Sequence, residues 1–163
     1  MSLAILPGSY DPMTLGHLEL VREAARRYDR VVVAVMVNPG KHARFDPQTR
    51  VEIARRTVAE IPGAEVLFDG GMLIDLYDRL DADAVVKGYR DAADLAYEQK
   101  RADWNRAHNP RFCTVLLPAA EAYRNISSTE VRRRLDAGED LSGWIHPAAL
   151  GLVSGTEQGG VET

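Results

Sequence analysis

"LAILPGSYDPMTLGHLELVREAARR", residues 3–27, decides how the rest of the chain is read. It opens with a short apolar run ending at Gly8 and passes through a polar turn. From there apolar residues recur at Leu15, Leu18, Val21 and Ala25, which is one face of a helix. Strand, turn and helix in that order form a unit that recurs along the chain. The apolar runs at 3–8, 30–38, 64–70, 83–89 and 112–119 are rich in valine and leucine, as strands buried on both faces are. Helices are predicted between them at 15–27, 47–61, 71–80 and 91–108. In "FDPQTRVEIARR" Asp46 serves as the cap and Pro47 as the first helical residue. The alternation predicts an α/β fold: a single-domain, Rossmann-like five-stranded parallel sheet with helices on both faces and right-handed crossovers. No internal repeat or linker divides the chain. The domain is expected over 1–153, with 154–163, polar and Gly-rich, as a disordered tail.

The composition narrows the function classes. A chain of 163 residues, 45% hydrophobic and 27% charged, is the size and make-up of one globular domain. No run approaches a membrane span and the N-terminus lacks a basic region followed by a long apolar stretch, so a cytoplasmic protein without membrane partners is expected. A net charge of -4 argues against a nucleic-acid surface. If the protein handles phosphates, a few placed cations must do it. The single cysteine, Cys113, allows neither a disulfide framework nor a cysteine metal cluster and is expected to be a small buried hydrophobe.

Ligands of open α/β sheets sit outside the carboxyl ends of the strands. The polar residues predicted there are Ser9, Asp11, Thr14 and His17 after the first run, Asn38 and Lys41 after the second, and Lys87 and Arg90 after the fourth. The fifth is followed by "YRNISSTEVRRRL". Gly8 and Gly16 are expected to let the backbone bend and approach a ligand, and the helix beginning near Leu15 offers free N–H groups to an anion. A histidine in that first turn lies at the positive end of the helix dipole, which disfavours its charged form. His17 therefore reads either as a neutral hydrogen-bond donor to a phosphate or as a surface residue. "SSTE" at 127–130 fits a capping box, with Ser127 accepting from the third helical N–H and Glu130 reaching back. The same hydroxyl-rich turn also suits a triphosphate. Arg132, Arg133 and Arg134 read as a solvated face with room for one to reach inward.

Together "GSYDPMTLGH", "NPGKHARF", "VVKGYRDAADLAYEQKRADWNR" and "RNISSTEVRRRL" resemble the nucleotidyltransferase superfamily, in the T-x-G-H form found in bacterial phosphopantetheine adenylyltransferases. The resemblance covers about residues 3–150. It implies transfer of the adenylyl group of ATP to 4'-phosphopantetheine, giving 3'-dephospho-coenzyme A and pyrophosphate with Mg2+. A phosphate monoester, with its second pKa near 6, needs no general base to attack. Holding two anions in line and stabilising charge on the α-phosphate would then suffice.

By resemblance, His17 contacts the α-phosphate, Ser9 touches both substrates with Tyr10 beside it on the ATP side, and Lys41 neutralises the incoming phosphate. Gly88, Tyr89 and Arg90 meet the nucleotide and Glu98 lies near its ribose or adenine side. Tyr123, Arg124, Asn125, Ile126, Ser127, Ser128 and Thr129 hold the adenine and outer phosphates. Leu73 lines the pantetheine pocket or is simply core. Tyr97 and Trp104 read as core or subunit contacts, and Asp11 as a residue that fixes the turn rather than a metal ligand. No side chain is assigned to the metal. Lys87 stands where the family usually has arginine to grip the substrate phosphate; lysine keeps the charge but loses the planar fork. The resemblance also implies a homohexamer inhibited by coenzyme A. The rival readings are a nicotinate or nicotinamide mononucleotide adenylyltransferase and a non-catalytic nucleotide sensor.

Overall fold

The computed structural model describes residues 1–157. Five strands, β1 (Leu3–Gly8), β2 (Arg30–Met36), β3 (Ala64–Asp69), β4 (Ala84–Tyr89) and β5 (Thr114–Pro118), form one sheet in the order β3-β2-β1-β4-β5. Each pairing is parallel. Between and after the strands lie α1 (Leu15–Arg27), α2 (Pro47–Val58), α3 (Leu73–Arg79), α4 (Ala92–His108), α5 (Ser128–Asp136) and α6 (Leu150–Ser154).

Successive strand side chains point to opposite faces, and the core divides accordingly. Ala4, Leu6, Val31, Val33 and Val35 face Leu18 and Val21 of α1, Ile53 and Ala54 of α2, and Val131 of α5. Leu3, Ile5, Val32, Ala34 and Val85 face Leu76 and Tyr77 of α3 together with Phe112. The expected architecture is thus present, with helices 47–61 and 71–80 three and one residues shorter at their carboxyl ends. Three departures follow from packing. A segment from Leu141 to Val153 carries no strong helical period, yet buries Leu141, Ile145, Ala149, Leu152 and Val153 under the first core cluster. Ser154 ends α6 instead of starting a tail, and Glu157 pairs with Arg56 of α2 at 2.7 Å; the remainder of the predicted tail lies outside the described residues. Cys113 is exposed, one residue ahead of the first β4–β5 pair, Val85↔Thr114.

One detail of the sheet matters for the site. β1 pairs with β2 over all six residues, Leu3 to Gly8, but with β4 only at Ala4↔Ala84 and Ile5↔Val85. Pro7, which has no N–H to give, sits beyond the last β1–β4 pair. The two strands part at their carboxyl ends, where the strand order reverses and a crevice opens.

Candidate active site

That crevice is a cleft of about 620 Å3, within the size range of small-molecule sites. Its floor is the carboxyl ends of β1, β4 and β5, and its walls are α1, the start of α4 and the turn before α5. Ser9, Tyr10, His17, Lys87, Gly88, Tyr89, Arg90, Glu98, Tyr123, Ile126, Ser127 and Ser128 all line it. Arg124 and Asn125 in the turn before α5 and Thr129 in its first turn are exposed and do not contribute to the lining. Lys41 is exposed on the loop after β2, outside the cleft, its N–H donating to the Asn38 carbonyl at 3.2 Å. Leu73 packs against the second core cluster.

His17 is held by a reciprocal cap. The Thr14 hydroxyl accepts from the His17 N–H at 3.3 Å, and His17 Nδ1 accepts from the Thr14 N–H at 2.9 Å. The imidazole takes the place that Glu or Gln occupies in the usual capping box. Because Nδ1 is an acceptor, the ring proton belongs on Nε2, on the edge away from Thr14. The Tyr10 ring meets His17 edge-on, with centroids 4.9 Å apart. Burial, then the charges of Arg90 and Lys87, lower the His17 pKa from 6.5 to about 4. The neutral form expected from the helix dipole is thus favoured, with burial as the main cause.

The cations of the cleft carry counterions. Lys87 Nζ lies 3.3 Å from Glu98 Oε2, and Arg90 Nε lies 3.1 Å from Asp94 Oδ2, which also accepts the Arg90 N–H at 3.1 Å. Asp94 carries a signal that could have found it, its i+4 spacing from Arg90 across a helix start. Ala119 and Ala120 also line the cleft, but small apolar residues leave no such mark.

The turn after β1 is braced from below. Asp11 is 5% exposed, and its carboxylate accepts from the Phe45 N–H at 2.9 Å and the Arg44 N–H at 2.8 Å. It fixes the turn, as expected. Arg132 is the inward arginine, donating to the Asp11 carbonyl at 2.7 Å. Tyr10 is buried and its hydroxyl donates to the Leu6 carbonyl at 2.8 Å, so only its ring and backbone remain for a ligand. Burial raises the pKa of that phenol.

Two expectations are corrected here, and one is refined. Ser127 caps α5 by accepting from the Glu130 N–H at 3.1 Å, but the Glu130 carboxylate turns to Arg133 at 2.6 Å instead of reaching back. A bidentate guanidinium partner outcompetes a neutral N–H. Gly8 and Gly16, expected to let the backbone approach a ligand, both line the cleft. At Gly8 a Cβ would come within 3.1 Å of the Tyr10 ring, so this glycine also makes room for a neighbouring side chain, whereas at Gly16 a Cβ would meet its neighbours only at ordinary contact distance, 3.5 Å and beyond. Of the two readings for Tyr97 and Trp104 on α4, core or subunit contact, core is excluded, because they are 59% and 50% exposed.

The Cytidylyltransferase-like family model matches residues 5–134. A phosphopantetheine adenylyltransferase of Aromatoleum aromaticum is 42% identical over 146 residues, which is 90% of each chain. One of Thiobacillus denitrificans is 39% identical over 154 residues, covering 94% of this chain and 96% of its own. One of Nocardioides is 38% identical over 153 residues with the same coverage. Among solved structures, "a Putative Nicotinate-nucleotide Adenylyltransferase from Vibrio parahaemolyticus" superposes with a TM-score of 0.70 at 19% identity, over 94% of this chain and 92% of its own.

Proposed function

The chain belongs to the Cytidylyltransferase-like family, and from that premise we propose that it transfers the adenylyl group of ATP to 4'-phosphopantetheine. The products are 3'-dephospho-coenzyme A and pyrophosphate. Full-length relatives at 38–42% identity, all named for this activity, support the substrate pair. The observation that carries the chemistry is His17: a neutral imidazole with its tautomer set by Thr14, facing a cleft that also holds Lys87 and Arg90.

In this reading a phosphate oxygen of 4'-phosphopantetheine attacks the α-phosphorus of ATP in line, and the bond from that phosphorus to the bridging oxygen of pyrophosphate breaks. The acceptor's second ionisation lies near pH 6, so it arrives as a nucleophile without help. The cleft accordingly spends its carboxylates on cations, Glu98 on Lys87 and Asp94 on Arg90. His17 Nε2–H donates to the α-phosphate as charge builds there, and a donor fixed before the reaction costs no reorganisation. Lys87 holds the acceptor phosphate once Glu98 is displaced from it. By resemblance, Lys41 neutralises the same group.

Mg2+ enters as Mg-ATP. Among the described residues no group of three His, Cys, Asp or Glu side chains could cage it, and this ion is commonly held by substrate phosphates with one or two carboxylates. The exposed Tyr97 and Trp104 on α4, a helix with no buried residue, support the homohexamer. Among the described residues no helix is long and apolar enough to cross a membrane; cytoplasmic work and feedback by coenzyme A, whose adenosine and pantetheine halves mimic both substrates, complete the proposal.

The test is pyrophosphate release from Mg-ATP with 4'-phosphopantetheine or, separately, nicotinamide mononucleotide. Release with the first acceptor only is expected. Release with the second would move the chain to the rival substrate, and ATP binding without release to either would leave a sensor.

A further inference from the structure

Arg50 is charged, lies on a helix and is only 4% exposed. Its Nε donates to the Phe45 carbonyl at 3.0 Å, and its Nη1 donates to the carbonyls of Ser9 at 2.9 Å and Met36 at 3.3 Å. Those acceptors come from three segments: the turn after β1, the end of β2, and the far end of the loop that carries Lys41. A buried guanidinium is tolerated only where its N–H groups are used. The three segments are therefore tied to one another through it.

The consequence for the cleft follows from the peptide bond. In a trans peptide the C=O and the next N–H point in opposite directions. With the Ser9 carbonyl on Arg50, the Tyr10 N–H points away from α2. Ser9 and Tyr10 line the cleft and Arg50 does not. That N–H has no partner among the described residues. Tyr10 also sits at φ 48°, a left-handed conformation that bulky residues avoid and that persists only where the surroundings impose it. Arg50 and the Asp11 carboxylate impose it here, together with the Tyr10 hydroxyl on Leu6.

We propose that Arg50 is a positioning residue for the reaction: it holds the strained Ser9–Asp11 turn so that the Tyr10 N–H faces the nucleotide phosphates, and it anchors both ends of the 37–45 loop. The proposal rests on the adenylyl-transfer reading above. It does not require Arg50 to touch a substrate.

The experiment compares full-length Arg50→Lys and Arg50→Met with Thr57→Val. Thr57 is buried on the same helix and donates only to the Ile53 carbonyl, at 2.7 Å, so its replacement loosens α2 away from the cleft. Steady-state pyrophosphate release, thermal melting and amide hydrogen exchange are read for each. The expected result is a kcat at least tenfold lower in Arg50→Lys, lower still in Arg50→Met and within twofold of wild type in Thr57→Val. Exchange should quicken at least tenfold at residues 9–12 and 37–45 of the Arg50 variants, with β2 and α1 unchanged. The proposal is overturned if Arg50→Lys keeps the kcat of Thr57→Val, or if exchange quickens evenly across the sheet. A wild type that releases no pyrophosphate with 4'-phosphopantetheine would defeat the functional reading, and the exchange data would still decide whether Arg50 holds the turn.

Discussion

His17 should make the fold acid-sensitive by an amount that can be worked out. Its pKa is 6.5 when unfolded and about 4 when folded, so below pH 6.5 the unfolded chain binds a proton that the native chain refuses. The stability associated with the neutral imidazole is fully present above pH 6.5 and is lost as pH falls toward 4. At about 1.4 kcal/mol per pKa unit the loss reaches about 3 kcal/mol below pH 4, and about 2 kcal/mol of it accrues between pH 8 and pH 5. The reference is His17→Gln, which keeps the α1 cap because Gln is a usual residue at that position, but cannot titrate. Urea unfolding of both proteins from pH 8 to pH 5 gives two stability curves. Their difference should narrow against the wild type by about 2 kcal/mol, since every other titrating group is common to both. Parallel curves would show that His17 is ordinarily solvated and would remove the basis for a neutral donor in the cleft.

Two further outcomes follow from the same geometry. His17→Ala should lower kcat by roughly 10²- to 10³-fold, the cost of one preorganised donor, while calorimetric Mg-ATP affinity stays within a few-fold; a parallel fall in affinity would mean a ground-state contact. Lys87→Arg should lower the KM for 4'-phosphopantetheine several-fold at nearly constant kcat, because the guanidinium fork can grip phosphate with two bonds, and a raised KM would show that the Lys87–Glu98 pair is tuned to lysine.

The five strands were legible because each is a valine- and leucine-rich run bounded by turn residues, a pattern that burial on both faces imposes. The helices were legible where one face is apolar, as in α1, or where a cap announces the start, as Asp46 and Pro47 do for α2. From the strand ends alone, the sequence also brought Ser9, His17, Lys87, Arg90 and Ser127 to one edge, where they line one cleft. It did not show that Arg50 is buried, since an arginine on a helix reads as solvated until its acceptors, carbonyls distant in sequence, are in place. Local rules likewise offered His17 no partner in Thr14, because histidine is not the residue expected at that capping position. The strand ends and the resemblance both placed Lys41 at that edge, but it is exposed outside the cleft, on a loop whose two ends are held by the Asp11 and Arg50 contacts. The segment 141–153 escaped because its buried residues are irregularly spaced.

The brevity of the β1–β4 ladder has a mechanical consequence. Two residue pairs join a three-stranded half-sheet, β3-β2-β1, to a two-stranded one, β4-β5. Above that seam the halves face each other across the cleft, with Ser9 and His17 on one bank and Lys87 and Arg90 on the other. A phosphate gripped from both banks supplies cross-links where the rungs of the ladder stop. A ligand bound in this way would act as a tie-bar that closes the open end of the sheet, and occupancy of the cleft and rigidity of the seam would become one variable.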